Sequence, residues 1–154
     1  MKIKEMLDEL SQRDSYKEFK KKYPNSYFST GFFMLGNGGD KFQFNFFLPD
    51  ESKIVSFEYP FGSYVCYDEK IDSESIFNNF DLKVDIDNLQ EYINKIMNKK
   101  ISRIIALINN NVWNITCLNG LDMNRIKINA LTGEVIDKND GKLSDFIKIN
   151  SNKD

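Results

Sequence analysis

Between Tyr27 and Tyr67 the spacing of apolar side chains changes from helical to two-fold, and this change constrains the fold more than any other feature of the chain. Phe42, Phe44, Phe46 and Leu48 alternate with Lys41, Gln43 and Asn45; Val55, Phe57 and Tyr59 alternate with Ile54, Ser56 and Glu58. Side chains two apart lie on one side of an extended chain, so the pattern is that of strands with one buried face. Gly36-Asn37-Gly38-Gly39-Asp40 follows the apolar run from Tyr27 to Leu35 and supplies the left-handed conformations of a hairpin. Pro49-Asp50-Glu51-Ser52 makes a second turn, and Pro60-Phe61-Gly62 a third before a last apolar stretch to Tyr67.

Helical spacing brackets these strands. Ile3, Met6, Leu7 and Leu10 form one apolar stripe, and Tyr16, Phe19 and Tyr23 form another, with Ser15 and Glu18 at capping-box spacing. Lys20-Lys21-Lys22 falls in the last turn before Pro24, where cations complement the helix dipole, and reads as a solvated helix end rather than a phosphate site. Residues 68–84 are acidic and aperiodic, which marks a connector, with Ile76, Phe77 and Phe80 expected to anchor it. A further helix is predicted after Asp85 or Asp87 as cap, with Leu89, Ile93, Ile96 and Met97 on one face. Three strands follow, Ile101 to Ile108, Val112 to Leu118 and Arg125 to Ile136, with turns at Asn109-Asn110-Asn111 and from Asn119 to Asn124. Leu143, Phe146 and Ile147 are expected to dock the tail.

Residues 1–67 and 85–154 thus repeat one order, helix then three strands. Pairing residues 71 apart aligns Gly62 with Gly133, Phe42 with Trp113, Phe44 with Ile115, Phe57 with Ile128 and Val65 with Ile136. The expected fold class is α+β: an antiparallel sheet packed by helices on one face, in two α-β-β-β halves joined by 68–84 into one globular unit.

Composition narrows the chemistry. The chain has 154 residues, 41% of them hydrophobic, enough for a core without disulfide or metal staples. A net charge of −2 gives no field that would draw nucleic acid or an anionic membrane. There is no histidine, which excludes Ser-His-Asp and Cys-His catalysis, His-ligated zinc and the two-His-one-carboxylate iron site. Two cysteines, Cys66 and Cys117, are too few for a secreted disulfide framework, and their pairing is left open by sequence. The charged Met1-Lys2-Ile3-Lys4-Glu5-Met6 is unlike a signal peptide, and no apolar run approaches the ~18 residues of a membrane span. A cytoplasmic location is the expectation.

In the second half, Val112-Trp113-Asn114-Ile115-Thr116 and Arg125-Ile126-Lys127-Ile128-Asn129-Ala130-Leu131-Thr132-Gly133-Glu134-Val135-Ile136 resemble a PepSY-type domain, a small helix-plus-sheet module allied to cystatin-like folds. Such domains carry a Trp early in the second strand and an Asp-x-x-Thr-Gly-x-Val turn; here Asn129 stands at the Asp position. The resemblance covers about a third of the chain. The whole chain is also similar to a group of small archaeal cytoplasmic proteins with this motif near the C-terminus. PepSY modules are associated with secreted peptidases and membrane-linked sensors, in inhibitory or ligand-binding roles. The resemblance therefore implies a sheet surface that holds something. Independently of family, Thr132-Gly133 reads as an architectural turn needing positive φ, and Trp113 as a packing residue.

The sheet's polar face is the candidate binding surface: Lys41, Gln43 and Asn45 from the first half, Asn114, Thr116, Arg125, Lys127 and Asn129 from the second. Aromatics and cations segregate to opposite faces, which argues against nucleic acid, where stacking and charge share a face. Cys66 is followed by Tyr67-Asp68-Glu69, and neighbouring carboxylates make a thiol a poor nucleophile; Cys117 alternates with Trp113 and Ile115 on the apolar face. Asp68, Glu69, Asp72 and Glu74 lack the loop spacing of a calcium site. The sequence points to a non-enzymatic protein-binding or regulatory module with no cofactor or metal. Its partner would be another protein or a second copy, not nucleic acid or a membrane. The alternative is a small-molecule-binding or hydrolytic protein with a pocket between helix and curved sheet.

Overall fold

A computed structural model describes residues 1–62, 64–67 and 74–142, with the side chains of 140–142 left out. Helices α1 (Ile3–Ser11) and α2 (Asp14–Lys22) precede strands β1 (Tyr27–Gly36), β2 (Lys41–Leu48), β3 (Lys53–Glu58) and β4 (Tyr64–Tyr67). Helix α3 (Leu89–Met97) precedes β5 (Arg103–Asn109), β6 (Val112–Asn119), β7 (Asp122–Asn129) and β8 (Val135–Lys142). All eight strands form one antiparallel sheet in the order β4-β3-β2-β1-β5-β6-β7-β8. The two runs of strands meet at their first members, Phe33 opposite Ala106 and Gly31 opposite Ile108.

Residues directly opposite in an antiparallel ladder share a face. One such row crosses the whole sheet: Tyr64, Phe57, Phe44, Gly31, Ile108, Trp113, Ile128, Val135. Its interior members are buried and belong to a single core. Gly31 is the one position in the row without a side chain, because a Cβ there would lie 2.6 Å from the Phe33 ring. A register shift between Phe28 and Thr30 changes the parity of β1, so Phe28 and Phe33, five apart, both enter the core. From α2, Phe19 brings its ring centroid within 5.2 Å of Phe57, 5.6 Å of Tyr64 and 5.7 Å of Phe46.

The segment before α3 is stitched to the second run of strands. Val84 N–H donates to Ala130 O, and Trp113 Nε1 donates to Val84 O at 2.7 Å. Asp85, 2% exposed, accepts hydrogen bonds from Ile3 N–H at 2.9 Å and Ile86 N–H at 2.7 Å. Ile3 opens α1, so this carboxylate supplies from 82 residues away the acceptor that a helix N-terminus needs.

Several expectations are corrected. Among the described residues each half carries four strands, not three. The run from Arg125 to Ile136 is two strands, because Asn129 Oδ1 accepts from Leu131 N–H and Thr132 N–H while Gly133 takes φ +80°, closing a hairpin between β7 and β8. The turn after Asn119 is only Gly120-Leu121, so β7 starts at Asp122. Ser15 lies inside α2, whose N-cap is Arg13; the Ser15 hydroxyl is buried with no hydrogen-bond partner among the described residues, and the Ser15–Glu18 capping box does not form. Helix α3 is preceded by Asn88 rather than Asp85 or Asp87 as its N-cap. Ile76 is exposed, whereas Phe77, tilted against Phe28, and Phe80, stacked on it, anchor the segment. Lys20 does not sit in solvent: its Nζ donates to Ser26 O at 2.9 Å. Asp68, Glu69 and Asp72, and the tail residues Leu143, Phe146 and Ile147, lie outside the described residues.

Candidate functional site on the open sheet face

Opposite the core row, the ladder builds two parallel rows of outward side chains. One runs Glu58, Gln43, Phe32, Leu107, Asn114, Lys127, Asp137; the other runs Lys41, Met34, Ile105, Thr116, Arg125, Asn139. At their centre Phe32, Met34, Ile105 and Leu107 form an apolar stripe on β1 and β5, each half-buried. Amides and hydroxyls flank the stripe, and charged groups stand beyond them. Phe32, Ile105, Leu107, Asn114, Thr116, Arg125, Lys127, Asp137 and Asn139 line a shallow groove of about 430 Å³.

Every residue expected on the polar face shares this side of the sheet by register, but they do not form one cluster. Asn114, Thr116, Arg125 and Lys127 border the groove. Gln43 and Asn45 lie three strand spacings from β6, roughly 14 Å away. There they join a closed network: Gln43 Nε2 donates to Asn45 Oδ1 at 3.0 Å, Ser56 Oγ donates to the same oxygen at 2.5 Å, and Asn45 Nδ2 donates to Thr30 Oγ1 at 3.0 Å. Asn45, Ser56 and Thr30 are buried, so they brace the sheet rather than offer groups to a ligand. Lys41 pairs with Glu58 at 3.9 Å in water, a contact worth little energy. Asn129 is committed to its own turn.

The sequence reading missed the stripe itself, with Asp137 and Asn139 beside it. The available signal was the pair of consecutive apolar doublets, Phe32-Phe33 and Ile104-Ile105, which alternation cannot bury on one face.

On the other side of the sheet a recess of about 410 Å³ opens among Met6, Leu35, Phe42, Ile86, Asp87 and Gln90. Elsewhere between α2 and the strands the space is filled by rings, with Phe19, Phe44 and Phe57 fully buried. Cys66 is exposed and Cys117 buried; both are free thiols, and burial pushes that of Cys117 up to about 11. Among the described residues no three Cys, Asp or Glu side chains group as metal ligands, and no helix is long and apolar enough to cross a membrane.

No family model matches the chain, and no curated protein does. Among solved structures, a crystal structure from Clostridium difficile 630, described as that of a "putative lipoprotein", superposes with a TM-score of 0.55. The match covers 83% of this chain and 91% of the other at 14% sequence identity. At that identity the likeness is one of fold, and neither location nor role carries across.

Proposed function

We propose that this chain is a non-enzymatic protein-binding or regulatory module, built from two PepSY-like halves, with its helices on one side of the sheet and its working surface on the other. The observation that carries this reading is the stripe of Phe32, Met34, Ile105 and Leu107, partly open to water on the central strands and framed by Asn114, Thr116, Arg125 and Lys127. Two strands make a band about 10 Å wide, the width of an extended segment with its side chains or of one helix. A partner segment would set apolar side chains on the band and hydrogen-bond to the flanking amides.

The duplicated origin has its own support. Residues 71 apart fall on equivalent strands: Phe42 and Trp113 on β2 and β6, Phe57 and Ile128 on β3 and β7, Val65 and Ile136 on β4 and β8. The pairing of Phe57 with Tyr64 matches that of Ile128 with Val135 at the same offset. The offset slips by two residues between β2·β3 and β6·β7, which preserves the face of every side chain. The recess beside Met6 and Ile86 favours a second reading, a small-molecule-binding protein, but confines its ligand to the rim of the core.

Selection of random displayed peptides on the full chain, with binders mapped by amide chemical shifts, tests the leading reading. Binders should perturb β1, β5 and β6 and lose at least about tenfold affinity on Leu107→Glu. Binders that consistently map around Met6, Ile86 and Gln90 instead would replace it with the second reading.

A further inference from the structure

The two ends of the sheet are built differently. At one end β8 reads Val-Ile-Asp-Lys-Asn-Asp-Gly-Lys and joins β7 through a register shift between Lys127 and Ile128. Charges and bulges are the usual defences of an exposed edge against pairing with another chain. At the other end β4 reads Tyr-Val-Cys-Tyr, with no charge and no proline, and pairs with β3 in unbroken register from Tyr64 to Tyr67. Val65 is 56% exposed, Tyr67 is 45% exposed, and Cys66 is exposed as well. Among the described residues no backbone hydrogen bond reaches β4 from any strand but β3. β4 is short, which limits what it can hold, but among the described residues it carries no charge, proline or register shift, and such an edge is a template for one more strand.

We propose that a second copy of this chain adds at β4, antiparallel, joining two eight-stranded sheets across a two-fold axis. The occupant follows from the asymmetry of the ends. Adding β4 to the β8 edge of another copy would set an uncharged strand against Asp137 and Lys138 and across the bulge, and would propagate as an open filament. Adding β4 to β4 is isologous: it closes at two copies and sets Tyr, Val and Cys only against one another. Four residues per copy make an interface below the standard ~1,200–2,000 Å², so the dimer is weak and concentration-dependent. Edge pairing leaves the open face uncovered, so this inference stands or falls apart from the peptide-binding reading.

Sedimentation velocity of the full chain, from about 5 μM to about 1 mM, reads the association directly, over the range where an interface of that class assembles. The wild type should shift from monomer to dimer and stop there. Val65→Lys with Tyr67→Lys, both at exposed positions, should weaken the dimer at least about tenfold with an unchanged circular-dichroism spectrum. Ile136→Lys, on the other edge, should leave it intact. Because Cys117 is buried, a spin label attaches at Cys66 alone, and dipolar coupling should place two labels on the order of 20 Å apart, given strands ~4.8 Å apart and flexible label arms. A monomer at the highest concentration overturns the proposal. So does an assembly that continues past two copies, one that Ile136→Lys breaks while the β4 substitutions do not, or one whose labels lie too far apart to couple.

Discussion

Gly133 does two jobs that no other residue type combines. Its φ of +80° turns the chain from β7 into β8, and its α-carbon lies beneath the Tyr92 hydroxyl, which donates to the Gly133 carbonyl. A Cβ at this position would sit 2.6 Å from Tyr92 Oη and 3.3 Å from Lys83 Cδ. Gly120, in the turn before β7, also has positive φ (+65°) but nothing within 4 Å of a would-be Cβ. Comparing the two separates backbone strain from steric contact. Gly120→Ala should cost about 1 kcal/mol, the price of a left-handed alanine. Gly133→Ala should cost about 2–4 kcal/mol, since the Tyr92 contact or its hydrogen bond must also yield. Urea unfolding measures both; equal costs would mean that α3 does not press on this turn. Sequence alone flagged the glycine and its turn. Tyr92, 41 residues earlier, was invisible because only the tertiary fold brings α3 to the hairpin.

At the scale of elements, what could be read in advance followed local periodicity, and what could not depended on long-range pairing. Strand β2 was legible because Phe42, Phe44 and Phe46 alternate strictly with polar residues. Strands β7 and β8 were read as one because the apolar residues resume at Val135 and Ile136 after only Leu131-Thr132-Gly133-Glu134, and the break comes from Asn129 and Gly133 acting on the backbone. Thr116, Arg125 and Lys127 share one face of the sheet, as simple alternation along β6 and β7 requires. The withdrawal of Asn45 into a network with Thr30 and Ser56 needs the register of three strands at once. Helix α1 shows the same dependence. Its first N–H is capped by Asp85, whose burial raises its carboxyl above the ordinary 3.8 despite two N–H donors. The folded chain therefore holds this proton at pH values where the unfolded chain has released it. The Asp85 contribution to stability is greatest below pH 3.8 and declines as pH rises through the raised folded value. Relative to Asp85→Asn, whose amide does not titrate, the wild type should gain stability as pH falls from 7 toward 4. Paired urea titrations across that range check the sign; a difference that moves toward the variant on acidification would show that the two N–H donors outweigh burial.

For the whole molecule, a single eight-stranded sheet divides neighbouring residues between a core and a surface, and β5 is where that division can be tested most sharply. Ile108 stands in the row with Trp113 and Gly31 and is fully buried. Leu107, its neighbour, stands in the row with Phe32 and Asn114 on the face with the groove. Both are large aliphatic side chains on a central strand, so propensity and composition treat them alike. Burying an unpaired carboxylate costs several kcal/mol, enough to consume the whole stability of a domain this size. Ile108→Glu should therefore leave the chain unfolded or aggregated. Leu107→Glu keeps its charge at the water boundary, near Asn114 and one strand further from Lys127, and should cost no more than about 1–2 kcal/mol. Circular dichroism and thermal melts of the two variants decide the matter. If Leu107→Glu unfolds the chain as readily as Ile108→Glu, the stripe is a second core under cover rather than a surface, and a partner segment has nowhere on that face to bind.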